Sequence, residues 1–265
     1  RTESSGLKSS PSPTRPHDEA RASFLRGVES ENGKKGIRMK AEQFSMGGVP
    51  AVLYGDPADQ GYLFLHGQMG RKEEAEDFAR AACPRGYQVL SIDLPGHGEL
   101  RSGELTPWEA VPDIQEALGW AERRWEAVSL RANSIGAYFA MLAFDAPARA
   151  LLASPILDME GLILTMLGWA GVTEGQLREQ GEIHTTFGQT LSWKYLCWVR
   201  EHPVFSWTCP VSILYGGRDN MTPRRTVEDY VRRHNAGLTV MENGEHWFHT
   251  PGQLAVLRAW EEREA

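Results

Sequence analysis

The chain has 265 residues, 41% of them hydrophobic, enough for one large domain with a buried core. Its net charge of −7, with no basic stripe interleaved with aromatics, argues against a nucleic-acid partner. No apolar stretch reaches the ~20 residues of a membrane span; the nearest, 156–169, is interrupted by Asp158, Glu160 and Gly161.

Residues 1–38 stand apart. They are rich in Ser, Pro, Gly and charge, and carry eight basic against five acidic residues, whereas the remainder carries 20 against 30. Such a segment buries too little apolar surface to offset its ordering entropy, and it lacks the apolar centre of a signal peptide. We expect a disordered arm or an upstream extension, followed by a domain over 39–265 with a natural-looking start at Met39. Cys83, Cys197 and Cys209 form neither a paired framework nor a Cys-x-x-Cys zinc pattern, which points to a reducing, cytoplasmic setting.

From Glu42 onward, strand-like and helix-like runs alternate. A hairpin is expected over 42–46 and 49–54, around Gly47-Gly48. A buried strand, 62–66, leads into His66-Gly67-Gln68-Met69-Gly70. A helix follows over 71–82, with Ala75, Phe78, Ala79 and Ala82 on one face. Then come a strand at 87–93, a helix over 107–124 broken or started near Pro112, a strand at 127–132, a helix at 135–144 and a strand at 149–153. After a long excursion the series resumes with a strand at 211–216, a helix at 223–234, a strand at 238–241 and a closing helix at 251–262. This alternation predicts an α/β fold: a mostly parallel central sheet flanked by helices.

The chemistry gathers at strand ends. Ala132-Asn133-Ser134-Ile135-Gly136 joins a strand to a buried helix and has small residues two positions either side of the serine. That is the pattern of a nucleophile elbow, with Ala132 where glycine is usual. Gly217-Arg218-Asp219 follows the 211–216 strand, and Gly244-Glu245-His246 follows the next. Both therefore lie where open α/β sheets place ligands. Ser134 is the candidate nucleophile, and His246 the base that takes its proton. Asp219 is the acid that fixes the imidazole tautomer. His249 competes with His246, or caps the last helix; Asp158 competes with Asp219; Asp229 reads as a solvated helix charge. A helix cap is the bland alternative for Ser134.

With its Ser, Asp, His order and the His66-Gly67 loop, the chain resembles α/β-hydrolases of the small esterase, lipase and serine-aminopeptidase-like type over about residues 42–263. The resemblance implies a helical lid inserted at about 155–210. There Trp169, Trp193 and Trp198 are candidates to wall an apolar pocket. It also implies an oxyanion hole made by the backbone N–H groups of Ile135 and Gln68. His66 is expected to brace its loop. Asp93-Leu94-Pro95-Gly96-His97-Gly98 is family-like too, with Asp93 and His97 read as structural hydrogen-bonders. A metal site from His66, His97 and Asp93 is disfavoured, and no cofactor is expected: dinucleotide and P-loop motifs are missing. The expected activity is serine-dependent hydrolysis of a small or medium acyl compound, an ester first, by a monomer or weak homodimer. Thioester and amide cleavage, acyl transfer and non-catalytic ligand binding remain open.

Overall fold

A computed structural model describes residues 39–204 and 207–265, so the expectation for 1–38 lies outside the described residues. The expected hairpin is present as β1 (Ala41–Met46) and β2 (Val49–Tyr54). Its turn places Gly47 and Gly48 at φ 55° and 97°, a region that glycine enters without a Cβ penalty.

Next come β3 (Gln60–Leu65), a 3₁₀ turn at Lys72–Glu74 and α1 (Ala75–Ala82). The helix expected from 71 is thus α-helical only from Ala75. β4 (Gln88–Ile92), α2 (Pro107–Glu122), β5 (Ala127–Asn133), α3 (Ile135–Ala143) and β6 (Ala150–Ala153) follow. Pro112 does not break α2 as expected. It removes one backbone donor, and the helix runs on because Ala110, Ile114, Ala117 and Ala121 anchor its buried face.

Residues 155–210 hold α4 (Met159–Ala170), α5 (Glu174–Gln180), the small hairpin β7 (Glu182–His184) and β8 (Thr190–Ser192), and α6 (Trp193–Glu201). β9 (Val211–Gly216), α7 (Arg224–His234), β10 (Gly237–Met241) and α8 (Pro251–Glu264) complete the chain.

Among the described residues the large sheet has eight strands, in the order β1-β2-β4-β3-β5-β6-β9-β10. β1 and β2 pair antiparallel, as do β2 and β4, and every later pairing is parallel. Both faces are covered. Leu63, Leu65, Leu90 and Ile92 point into a core closed by α2 and α3, while Tyr62, Phe64 and Val89 point into a second core closed by α1 and α8. Strands buried on both sides read as unbroken apolar runs rather than alternating ones, as Tyr62-Leu63-Phe64-Leu65 does.

The insertion is cross-tied from within. Arg200 on α6 bonds Glu160 on α4 at 2.6 Å and both carboxylate oxygens of Glu174 on α5 at 2.7 and 2.9 Å. Trp108 at the start of α2 meets Tyr195 and Trp198 of α6 edge-on, which ties the insertion to the body.

Candidate active site

Ser134 sits between β5 and α3 with φ 49° and ψ −120°, a backbone state that costs a non-glycine residue of order 1–3 kcal/mol. The strain is held from three sides. Ser134 N–H donates to Ala153 O at 3.0 Å, and Ile156 N–H donates to Ser134 O at 3.2 Å. Gly136 lets α3 start against the end of β3: a Cβ there would stand 2.5 Å from His66 O and 2.9 Å from Leu65 O. Ala132, the departure from the usual glycine, is fully buried and in register with Leu65 and Leu152, so the sheet accommodates its methyl group.

The acid and the base arrive together. A Cβ on Gly216 would lie 2.4 Å from Glu245 O, and one on Gly217 would lie 2.6 Å from Glu242 O. Two glycines thus allow the loops after β9 and β10 to pack backbone on backbone. Gly217 N–H donates to Met241 O and Arg218 N–H to Gly244 O, both at 2.8 Å. This contact sets Asp219 beside His246. Asp219 Oδ1 accepts from the N–H groups of Met221 (2.7 Å) and Thr222 (3.1 Å), which aims Oδ2 at His246 Nδ1, 2.7 Å away. The Asp219 carboxylate is inaccessible to solvent, and the His246 ring is 15% exposed. His246 Nε2 lies 2.7 Å from Ser134 Oγ. Nδ1–H therefore donates to the carboxylate, leaving Nε2 to accept the serine proton.

The competitors are occupied elsewhere. His249 is exposed, and its Nδ1 donates to Trp247 O at 2.7 Å. The cap of α8 is Thr250 and not His249. Asp158 caps α4 by accepting Gly161 N–H. Asp229 pairs with Arg232 and Arg225 along α7.

The loop after β3 passes beside the serine, and the loop after β4 packs against that loop. Gly67 approaches closely: a Cβ there would sit 3.2 Å from Ser134 Cβ. Gly70 N–H donates to Gly67 O at 3.0 Å, closing a turn around Gln68 and Met69. His66 Nδ1 donates to Gly67 O at 2.7 Å, and its Nε2 accepts Leu94 N–H at 3.0 Å. His97 Nδ1 donates to Pro95 O at 2.8 Å, and its Nε2 accepts Met69 N–H at 2.9 Å. All four ring nitrogens thus serve backbone groups. Among the described residues no group of three or more His, Cys, Asp or Glu could hold a metal ion. Asp93 accepts the N–H groups of Lys72 (2.8 Å) and Glu99 (2.9 Å), and its buried carboxylate pairs with the buried Lys72 Nζ at 3.0 Å. The Lys72 ammonium, which burial alone would push down, is held above its ordinary value by hydrogen bonds to Glu99, Asp93 and Glu73.

The three tryptophans singled out in the insertion do not form one cluster. Trp193 and Trp198 are half-buried on α6, and Trp198 stacks on His202. Trp169 is 45% exposed and meets Phe187, itself 41% exposed, edge-on. Burial pushes the Cys83 thiol up to about 11 and raises that of Cys209, so neither is a thiolate at neutral pH.

The sequence reading missed the backbone donors of Met221 and Thr222 that orient Asp219, and the tie from His97 to Met69. A donor pair following an Asp at short range is a local Asx pattern and was findable. The His97 tie joins two loops 28 residues apart and leaves no local trace.

An open, mostly parallel sheet that brings a serine, a histidine and an aspartate from three strand ends into one hydrogen-bonded chain is, as a class, a hydrolase-type α/β fold. The sequence profile of the Alpha/beta hydrolase family matches residues 62–258, and the chain belongs to that family. No curated protein sequence matches the chain. Among solved structures, it is similar to Est1E from Butyrivibrio proteoclasticus with ferulic acid bound (18% identity, TM-score 0.69, covering 84% of this chain and 96% of that one). It is also similar to alpha/beta hydrolase domain-containing protein 10 from mouse (14%, 0.68, 84% and 97%). A third similar structure is the Pyrococcus furiosus esterase Pf2001 (18%, 0.58, 85% and 89%). At such identities the likeness is one of fold. No helix among the described residues is long and apolar enough to cross a membrane.

Proposed function

We propose that the protein is a serine hydrolase of carboxylesterase type, acting on a small or medium acyl substrate. The observation that carries this reading is the continuous chain Ser134 Oγ–His246 Nε2 and His246 Nδ1–Asp219 Oδ2, each link 2.7 Å, on a serine with a strained positive φ. His246 removes the Ser134 proton as Oγ attacks the substrate carbonyl, and Asp219 stabilises the imidazolium that forms. The N–H groups of Ile135 and Gln68 receive the charge that develops on the carbonyl oxygen. His246 then protonates the departing alcohol. Water, deprotonated in turn by His246, cleaves the acyl-enzyme and restores Ser134. The scheme calls for no cofactor. The likeness to the Pyrococcus furiosus esterase Pf2001 favours an ester over other acyl bonds.

In this reading, residues 155–210 act as a lid over the site, and Trp169, Trp193 and Trp198 supply apolar wall to the acyl or alcohol group. The enzyme works as a monomer or weak homodimer, in a reducing cytoplasm where its cysteines stay free. The deciding experiment is labelling with a fluorophosphonate probe, together with hydrolysis of p-nitrophenyl acetate. The wild type is expected to label at Ser134 and turn over, and Ser134→Ala to do neither. A folded wild type inert in both assays would overturn the reading in favour of a ligand-binding protein.

A further inference from the structure

We propose that His97 is a positioning residue for the oxyanion hole, acting through Met69 to hold the Gln68 N–H in place; this rests on the serine-hydrolase reading above. Gln68 is flanked by two peptide planes, and each is pinned by a histidine. The plane before it carries Gly67 C=O and Gln68 N–H, which point in opposite directions because the peptide is planar and trans. Gly67 O is fixed by two donors, His66 Nδ1 and Gly70 N–H, so the Gln68 N–H direction is fixed as well. The plane after Gln68 carries Met69 N–H, which His97 Nε2 accepts at 2.9 Å.

Met69 itself stands at φ 62°, in the left-handed region that a non-glycine residue occupies only when its surroundings over-determine it. Its side chain is 61% exposed and gives little packing to enforce that state. The enforcement falls to the backbone bonds on either side. His97 is itself aligned by Nδ1 donating to Pro95 O, which leaves Nε2 as the acceptor. Its loop is anchored by Asp93, which accepts Glu99 N–H on the His97 side and Lys72 N–H beyond Met69. Gly98 has no room for a Cβ, which would fall 2.1 Å from Asp93 Oδ1, so the His97 turn and the Asp93 anchor form one unit. Without the His97 acceptor, Met69 is free to relax toward negative φ and rotate the turn that presents Gln68.

The test compares His97→Leu, which removes the acceptor, with His97→Gln, whose side-chain oxygen can replace Nε2. For p-nitrophenyl acetate, His97→Leu is expected to lower kcat about tenfold to a hundredfold, below the ~10²–10³-fold cost of removing an oxyanion donor outright, with KM within about twofold. Phenylboronic acid, which forms a tetrahedral adduct with the serine, should bind more weakly by a similar factor. His97→Gln should restore most of both. Thermal unfolding of each variant separates this from a general loss of fold. Wild-type kcat in a folded His97→Leu, or a loss of kcat that leaves boronate affinity untouched, overturns the assignment of His97 alone and leaves the hydrolase reading standing. An inert wild type overturns both.

Discussion

Glu261, four residues from the end of the chain, receives two hydrogen bonds on one carboxylate oxygen from Arg131, three residues before Ser134: Nε at 3.0 Å and Nη2 at 2.8 Å. Both side chains are buried, and the guanidinium lies between the rings of Phe64, Phe78 and Trp260. Arg131 also donates to Ala132 O and Asn133 Oδ1, so the elbow strand is braced from α8. Burial holds the Glu261 carboxyl above its usual range, against the pull of Arg131. Glu261→Ala leaves a buried cation unpaired and should cost about 3–5 kcal/mol in urea unfolding. Arg131→Met combined with Glu261→Leu should recover most of that. An equal loss in the double variant would show that the pair does not carry the effect.

Gly136→Ala places a Cβ against the consecutive backbone carbonyls of Leu65 and His66, at the end of β3, which cannot move independently. We expect a loss of about 1–3 kcal/mol, and a larger proportional loss of p-nitrophenyl acetate turnover, because α3 and Ser134 shift together. A variant with unchanged melting and unchanged kcat would contradict the close approach.

Asp219→Asn keeps an acceptor for the Met221 and Thr222 amides while removing the charge beside His246. kcat should fall about 10⁴-fold with little change in melting temperature. A fall below tenfold would remove Asp219 from the mechanism.

Lys72 offers a pH test. Its folded value is raised above the ordinary 10.5 by hydrogen bonds to Glu99, Asp93 and Glu73. The stability it contributes is therefore fully present below pH 10.5 and lost as pH rises past that point through the higher folded value. Lys72→Met should be destabilised by about 3 kcal/mol at neutral pH, because Asp93 loses its buried partner. The gap to wild type should stay constant up to about pH 10 and narrow above it. A gap that widens above that point would contradict the sign.

Arg200→Ala should raise protease cleavage within 155–210 while the melting of the sheet core is unchanged, since Arg200 ties α4, α5 and α6 to one another and not to the strands. Unchanged cleavage would show that packing alone holds the insertion.

Much of this was legible in the sequence because the signals are local. The β9 strand matches its expected bounds; Ser134 directly follows β5, and Asp219 and His246 lie in the short loops just past β9 and β10, so each is announced by the apolar run before it. Long-range charge was not legible. An arginine inside Leu130-Arg131-Ala132 announces a buried partner, but that partner is 130 residues away. Pro112 misled because local preference favours a break, and four buried residues on one helix face outweighed it. In the insertion, residue type announced apolar contact without saying what each ring would meet. Trp198 found Trp108 and His202, and Trp169 found Phe187.

The close backbone contact between the loops after β9 and β10 divides the site into two plates. Asp219 and His246 ride on one, and Ser134 with the Gly67 turn rides on the other. The seam between them runs along β6 and β9, and it is bridged near the site by Ser154 N–H donating to Leu214 O at 2.8 Å. A small slip along that seam changes the serine-to-imidazole distance and leaves the imidazole-to-carboxylate distance alone. Mutation or heat should therefore detune proton transfer at the hydroxyl before it disturbs the acid–base couple.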